Sequence, residues 1–409
     1  RNVAIGNNAL NAMTWSSTND TYNVAIGHNA GAAVTSGNLN TLIGGLAGDA
    51  ITSAVNNTAL GFSSLTANVV GDNNTALGYR ALEDFVADTD GHGNNTAVGA
   101  NAMLNVSTGT GNTALGTSAI GSGVTTGNSN NAIGHQAGSS LTSGTCNNIM
   151  GNSAGTALTT GYFNVAMGHN ALSSSVSGRN STAIGHNTLK VENVADDEAY
   201  NVAVGYQAGL GVTTAVQNTL IGAVAGQAVT TGANNTALGH QALKNNTIGN
   251  ANVAIGKNAM LTNVAGDTNV AVGYDSLKVM TSATTADMYN TAVGHSSGLA
   301  VTSGVQNTLI GGQAGAALTT GVRNVAVGYA ALQTEDAHGA NTALGYAALN
   351  VQNAGADAYN TAVGYNAGLA VSTGVQNTIL GASAGDALTT GDNNIIIGYN
   401  AAASAVGVD

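Results

Sequence analysis

Asn74-Thr75-Ala76-Leu77-Gly78 is one of 23 copies of a five-residue motif spread over the 409 residues of this chain. The consensus is Asn, then Thr or Val, then Ala, then Leu, Ile or Val, then Gly. It returns as Asn201-Val202-Ala203-Val204-Gly205, as Asn341-Thr342-Ala343-Leu344-Gly345 and as Asn360-Thr361-Ala362-Val363-Gly364. Most motif glycines lie 17 residues apart. A strand-sized unit repeated this regularly specifies stacked coils, each too small to bury a core alone and each completed by its neighbours. The repeat leaves no room for a separate globular domain, so residues 1–409 read as one continuous repeat rod.

Composition supports the same reading. The chain has 58 glycines, no proline and only 7% charged residues, against about a quarter charged in an ordinary domain. Its polarity comes from Asn, Thr, Ser and Gln. No apolar run approaches the ~20 residues of a membrane-spanning helix, so membrane insertion is not expected. A net charge of −12, with only eight Lys and Arg, argues against a nucleic-acid partner. Cys146 is the only cysteine, which excludes an intrachain disulfide and a Cys-based metal site; it reads as a small buried residue. The chain opens at Arg1 inside a repeat, so a leader or anchor is expected to lie outside these residues.

Period-two alternation places Thr/Val and Leu/Ile/Val on one face of the motif and Asn, Ala and Gly on the other. The expected coil is flattened and carries two short strands, the motif and a second segment such as Gln207-Ala208-Gly209 or Arg80-Ala81-Leu82. A hydroxyl-rich turn such as Leu158-Thr159-Thr160-Gly161 closes it. Equivalent residues then stack about 4.8 Å apart. Asn74, Asn201 and Asn341 are expected in an amide ladder. Leu77, Val204 and Leu344 are expected in a buried core stripe, with Gly78, Gly205 and Gly345 at the corners. A coil of 17 residues loses about 1–2 kcal/mol of backbone entropy per residue and buries few large side chains. A lateral partner is therefore expected on the Ala-lined face, and the simplest partner is a second copy of the chain.

The step departs from 17 at Gly27, Gly99 and Gly294 (21), Gly205 (20), Gly364 (19) and Gly134 (18). Four insertions end in an aromatic just before the motif: Tyr22, Tyr200, Tyr289 and Tyr359. The same four carry acids, including Asp20, Asp197, Asp287 and Asp357. Solenoid insertions bulge from one face and often make contacts, so these are the candidate contact loops. The repeat register also continues from the last residue to the first, since 11 residues after Gly398 plus six to Gly6 restore a step of 17. Neither end shows a polar cap. Head-to-tail stacking of copies, or an excerpt from a longer repetitive polypeptide, is expected.

The unit resembles the head repeats of trimeric autotransporter adhesins of the YadA type at Asn23-Val24-Ala25-Ile26-Gly27 and Asn252-Val253-Ala254-Ile255-Gly256. It is similar also to the repeats of phage tail-fibre-like proteins at Asn341-Thr342-Ala343-Leu344-Gly345-Tyr346-Ala347-Ala348-Leu349. The resemblance covers essentially the whole chain. It implies a left-handed parallel β-roll, three chains around one axis, and an extracellular or virion-surface location. The sequence departs from the adhesin heads in period, which is nearer 14 or 15 there. It also lacks their stalk, their anchor and any tip domain.

The expected fold is thus all-β, a parallel β-solenoid of about 23 coils. The expected role is a structural fibre or filament for reach, presentation and attachment. An alternative is an adhesin whose repeat faces bind a host glycan or protein receptor, and a minor one is an ice-binding solenoid displaying its Thr rows. No nucleophile elbow or paired-carboxylate cleft is legible, so no catalytic residue, cofactor or enzyme activity is expected. Six of the eight histidines follow a motif glycine, among them His169 and His186 in consecutive coils, and tyrosine holds the same place in Tyr329, Tyr346 and Tyr365. This reads as a stacking column of flat rings. No His or carboxylate spacing fixes a metal site, and the acidic runs at Asp88–Asp90 and Asp196–Glu198 lack a calcium-loop pattern. Sequons such as Asn56-Asn57-Thr58 are compatible with glycan.

Overall fold

The computed structural model describes residues 1–14, 20–87, 89, 92–195, 198–282 and 285–401. Asp88, Asp90, Asp196 and Asp197 lie outside the described residues. Two compact units, Arg1–Asn201 and Val202–Asp409, make up the chain. Each is a parallel β-solenoid, and together they carry about 23 coils. The first unit has eleven three-residue motif strands, from Val3–Ile5 to Thr182–Ile184. The second has twelve, from Val202–Val204 to Ile395–Ile397, and one further short pair, Gly266–Asp267 and Ala286–Asp287. The described residues contain no helix.

Like pairs with like. Thr58, Ala59 and Leu60 register on Thr75, Ala76 and Leu77, and Thr236, Ala237 and Leu238 on Val253, Ala254 and Ile255. Insertions leave this register intact: Thr75 still meets Thr96, Val270 meets Thr291 and Thr342 meets Thr361. Backbone bonds between coils continue past the strand, as in Leu65 N–H to Ala81 O at 3.0 Å and Ala67 N–H to Glu83 O at 2.9 Å.

The alternation expected from the motif is present, but its inside and outside are exchanged. The motif alanines and asparagines face inward: Ala76, Ala203 and Ala343 are fully buried, as are Asn74, Asn201 and Asn341. The Leu/Ile/Val position faces outward. Leu115, Leu238 and Leu344 are 45–46% exposed, and Leu77, Val204 and Ile255 are half-buried. The expected core stripe and the expected open Ala face are therefore both corrected. The reason is volume. In the Ala76 coil the interior is already occupied by two large side chains from beyond the strand, four and seven residues after the motif glycine, Leu82 and Phe85, both fully buried. Only Ala fits opposite them. The expected second strand is also absent among the described residues, since the segment after the motif is a run of turns with left-handed residues, for example Arg80 (φ 53°) and Leu82 (φ 53°).

Asn faces inward because it satisfies corner backbone that water cannot reach. Asn57 Oδ1 accepts both Asn74 N–H at 2.9 Å and Asn74 Nδ2 at 3.0 Å, while Asn57 Nδ2 donates to Gly71 O at 3.0 Å. The expected amide ladder is therefore present within each unit. It crosses the insertions too: Asn95 N–H reaches Asn74 Oδ1 at 3.1 Å, and Asn360 N–H reaches Asn341 Oδ1 at 3.2 Å. The motif glycine cannot be replaced. At Gly44 φ is +136°, and an added Cβ would sit 2.3 Å from Gly61 O of the next coil.

Candidate functional surfaces

Three surface features and two buried carboxylates stand out from this repeating frame. The first feature is the outward strand face. Its two positions per coil, exemplified by Thr58/Leu60, Thr75/Leu77 and Val253/Ile255, stack in register. No motif copy carries a charged residue at either position. The result in each unit is an uncharged face, an aliphatic column at the second of the two positions, with Leu60 45%, Leu115 46% and Leu380 46% exposed, beside a column that is Thr in most coils.

The second is the ring column one residue after the motif glycine. His169 and His186 stack as expected, with centroids 5.1 Å apart and planes 10° from parallel. Tyr274 stacks on His295 at 5.4 Å. Tyr346 lies between Tyr329 at 5.5 Å and Tyr365 at 5.2 Å. The tyrosines are about half exposed, Tyr346 at 49%. In such a stack the ring faces cover one another and the hydroxyl edges point outward.

The third is the set of candidate contact loops. Each tyrosine has an acid two residues before it. Tyr22 donates to Asp20 Oδ2 at 3.1 Å, Tyr289 to Asp287 Oδ2 at 2.9 Å, and Tyr200 bonds Glu198. The hydrogen bond to the neighbouring aspartate, with its charge, holds the Tyr22 and Tyr289 hydroxyls above the ordinary phenol range. In the fourth loop Asp357 Oδ1 accepts the Gly339 N–H at 2.9 Å instead, and Tyr359 is exposed. In three of the four loops the tyrosine hydroxyl bonds the acid of its own loop.

The turn threonines spend their hydroxyl protons on the stack. Thr213 donates to Thr230 O at 3.0 Å, Thr230 to Thr247 O at 3.0 Å, and Thr247 to Val264 O at 3.1 Å. Cys146, expected inside, is exposed, because it occupies a left-handed corner (φ 56°) rather than a core position.

Two buried glutamates escaped the sequence reading. Both stand seven residues after a motif glycine, where most coils place Val, Ile, Leu, Met or Phe. Glu192 is fully buried, and its Oε1 accepts Ser181 Oγ at 2.9 Å and Asn201 Nδ2 at 2.7 Å. Ser181 stands where the motif has Asn, so Glu192 supplies the oxygen that the missing amide would have offered. Burial pushes its carboxyl up to about 7, against the smaller opposing effect of those two donors. Glu335 is also fully buried. Burial raises it too, opposed by the His338 backbone N–H, the His338 charge and the Ala354 backbone N–H. Sequence position alone held the signal, namely a charged residue in a column of aliphatic ones.

No helix among the described residues is long and apolar enough to cross a membrane. Comparison with known proteins finds no matching family model, no matching curated protein and no matching solved structure.

Proposed function

We propose that this chain is a structural subunit of an extracellular or virion-surface fibre, and that its copies associate side by side through the outward strand face. The uncharged aliphatic column carries the proposal. Large contiguous apolar surface on a soluble protein marks an association site. Covering each half-exposed Leu or Ile returns on the order of 1 kcal/mol, and each unit offers one such residue per coil. A face that repeats at strand spacing is matched best by another face of the same repeat, which favours a second copy over an unrelated partner. The likeness of the motif to adhesin heads and phage fibre repeats favours three copies around one axis, continued head to tail. A second reading, an adhesin that holds a glycan or protein receptor along its ring column, is favoured by the exposed Tyr329–Tyr346–Tyr365 stack.

Sedimentation equilibrium of the purified chain tests the first reading. Association that is lost in Leu344→Asp, with the circular-dichroism spectrum unchanged, supports it, and a monodisperse 39.9 kDa species at micromolar concentration refutes it. Glycan-array binding abolished by Tyr346→Ala, in a chain that still assembles, would move the assignment to the second reading.

A further inference from the structure

Glu335, Asp336 and His338 place one ligand atom each within 4.8 Å of one another. We propose that this loop is a binding site for a first-row divalent cation of the Zn²⁺ class, held by the Glu335 and Asp336 carboxylates and the His338 imidazole.

The argument starts from what the position normally does. Glu192 and Gln352 occupy the same place in their own coils, seven residues after Gly185 and Gly345. Both serve the amide ladder: Glu192 accepts Asn201 Nδ2 at 2.7 Å, and Gln352 Oε1 accepts Asn360 Nδ2 at 2.8 Å. Glu335 does not bond the following motif amide. Its Oε1 accepts the His338 backbone N–H at 3.1 Å. Asn341 Nδ2, the next amide in the ladder, is left buried without a partner.

Two more polar atoms are stranded in the loop. Glu335 Oε2 is buried and makes no hydrogen bond, although the side chain is 0% exposed. His338 Nδ1 is likewise buried and unbonded, 3.5 Å from Glu335 Oε1. Burying a carboxylate oxygen and an imidazole nitrogen without hydrogen bonds, with only the 3.5 Å contact between the two groups to offset it, costs more than leaving a core position aliphatic, and most coils do place an aliphatic residue there. A cation removes that cost. Two carboxylates balance its charge, and imidazole selects zinc-like ions over calcium or magnesium. The ligand atoms of one Zn²⁺ lie about 3.5 Å apart, so closure needs side-chain rotation of about an ångström and no change in the coil. The backbone is already fixed: Thr319 N–H and Oγ1 both bond Asp336 O, and Asn324 Nδ2 bonds His338 O at 3.1 Å.

Isothermal titration of the chelator-treated full chain with Zn²⁺ tests the site, with His338→Ala, Asp336→Asn and Glu335→Gln as variants and His186→Ala as the control for the exposed His169–His186 stack. One saturable site per chain is expected, weakened at least about tenfold in His338→Ala and Asp336→Asn and unchanged in His186→Ala. Co²⁺ substitution should give a visible absorption band that His338→Ala removes. Because Glu335→Gln alters a buried group, the half-buried His338 carries the decision if that variant misfolds. Absence of a saturable site, equal Zn²⁺ affinity in His338→Ala and wild type, or binding of Ca²⁺ without Zn²⁺ would each overturn the assignment.

Discussion

Leu42 fills the space that a side chain on Gly48 would need. A Cβ built on Gly48 would lie 2.8 Å from Leu42 Cδ2, and one on Gly31 of the preceding coil 2.7 Å from Leu42 Cδ1. Leu42 stands at the motif position that is Ala in most coils. The same exchange appears where Ile149 meets Gly138 and Gly155, where Leu309 meets Gly298 and Gly315, and where Ile379 meets Gly368 and Gly385. In coils such as those of Ala59, Ala76 and Ala97 the motif keeps Ala, and the position four after the motif glycine holds Leu65, Leu82 or Met103, all in the left-handed region; Ala25 and Gly31 are both small, and Leu42 of the next coil reaches over Gly31. The large side chain that fills this part of the core comes from different positions in different coils.

This exchange predicts coupling. Leu42→Ala should cost about 2–5 kcal/mol by opening a cavity, and Gly48→Leu should destabilise by overpacking. The double variant rewrites the coil toward the Ala59/Leu65 pattern and should recover part of the loss. Denaturant unfolding of the three proteins measures it. Strict additivity would show that the two sites do not share one volume.

The amide ladder should outweigh the hydroxyl row. Asn235→Ala strands Asn252 N–H, which reaches Asn235 Oδ1 at 3.0 Å, removes one of the two acceptors of Asn252 Nδ2 and takes one of the two amide donors from Gly249 O. At about 1–3 kcal/mol for the stranded buried N–H, with smaller losses for the two weakened partners, the loss should be on the order of 2–4 kcal/mol. Thr230→Val removes one part-buried bond to Thr247 O and should cost about 0.5–1.5 kcal/mol. Thermal unfolding of both variants ranks them, and the reverse order would contradict the ladder as the main polar support.

Glu192 gives the first unit a pH dependence. Its carboxyl is raised from 4.5 to about 7 in the folded chain, so the folded state holds a proton that the unfolded state releases. Stability from this group is therefore intact below about 4.5, falls as pH rises toward about 7, and stays lowered above it. Glu192→Gln should abolish that fall and stabilise the chain at pH 8 by on the order of 2–3 kcal/mol. Gln352 already performs this ladder role in its own coil. Stability profiles from pH 4 to 8 test it; an undiminished fall in the variant would place the proton elsewhere.

Leu238→Asp should leave the coil folded. Leu238 is 45% exposed and faces outward, so the new carboxylate meets water rather than the core. Far-ultraviolet circular dichroism should match wild type while the sedimentation coefficient falls. Loss of the β spectrum would show that the strand cannot form without its lateral partner.

Much of the architecture was legible because a repeat multiplies weak signals. One Asn-Thr-Ala-Leu-Gly means little, while 23 copies at near-constant spacing specify coils, strand register and the amide ladder. The His169–His186 stack followed from spacing alone. What misled was hydrophobicity. Leu77 is more apolar than Ala76, and an ordinary strand would turn it inward, yet Ala76 is buried and Leu77 is not. The Glu335–Asp336–His338 cluster was invisible for another reason, since its three residues are ordinary for a turn until the coil's closure buries Glu335.

The sequence by itself determined that the chain stacks, where each coil begins, and which residues meet across coils, because those follow from period and from the stereochemistry of glycine. Only the tertiary structure decided which face of the strand is the inside. That choice depends on the volume enclosed by the whole coil, to which Leu82 and Phe85 contribute from beyond the strand, and enclosed volume is a property of the closed coil that no local alternation of residues contains.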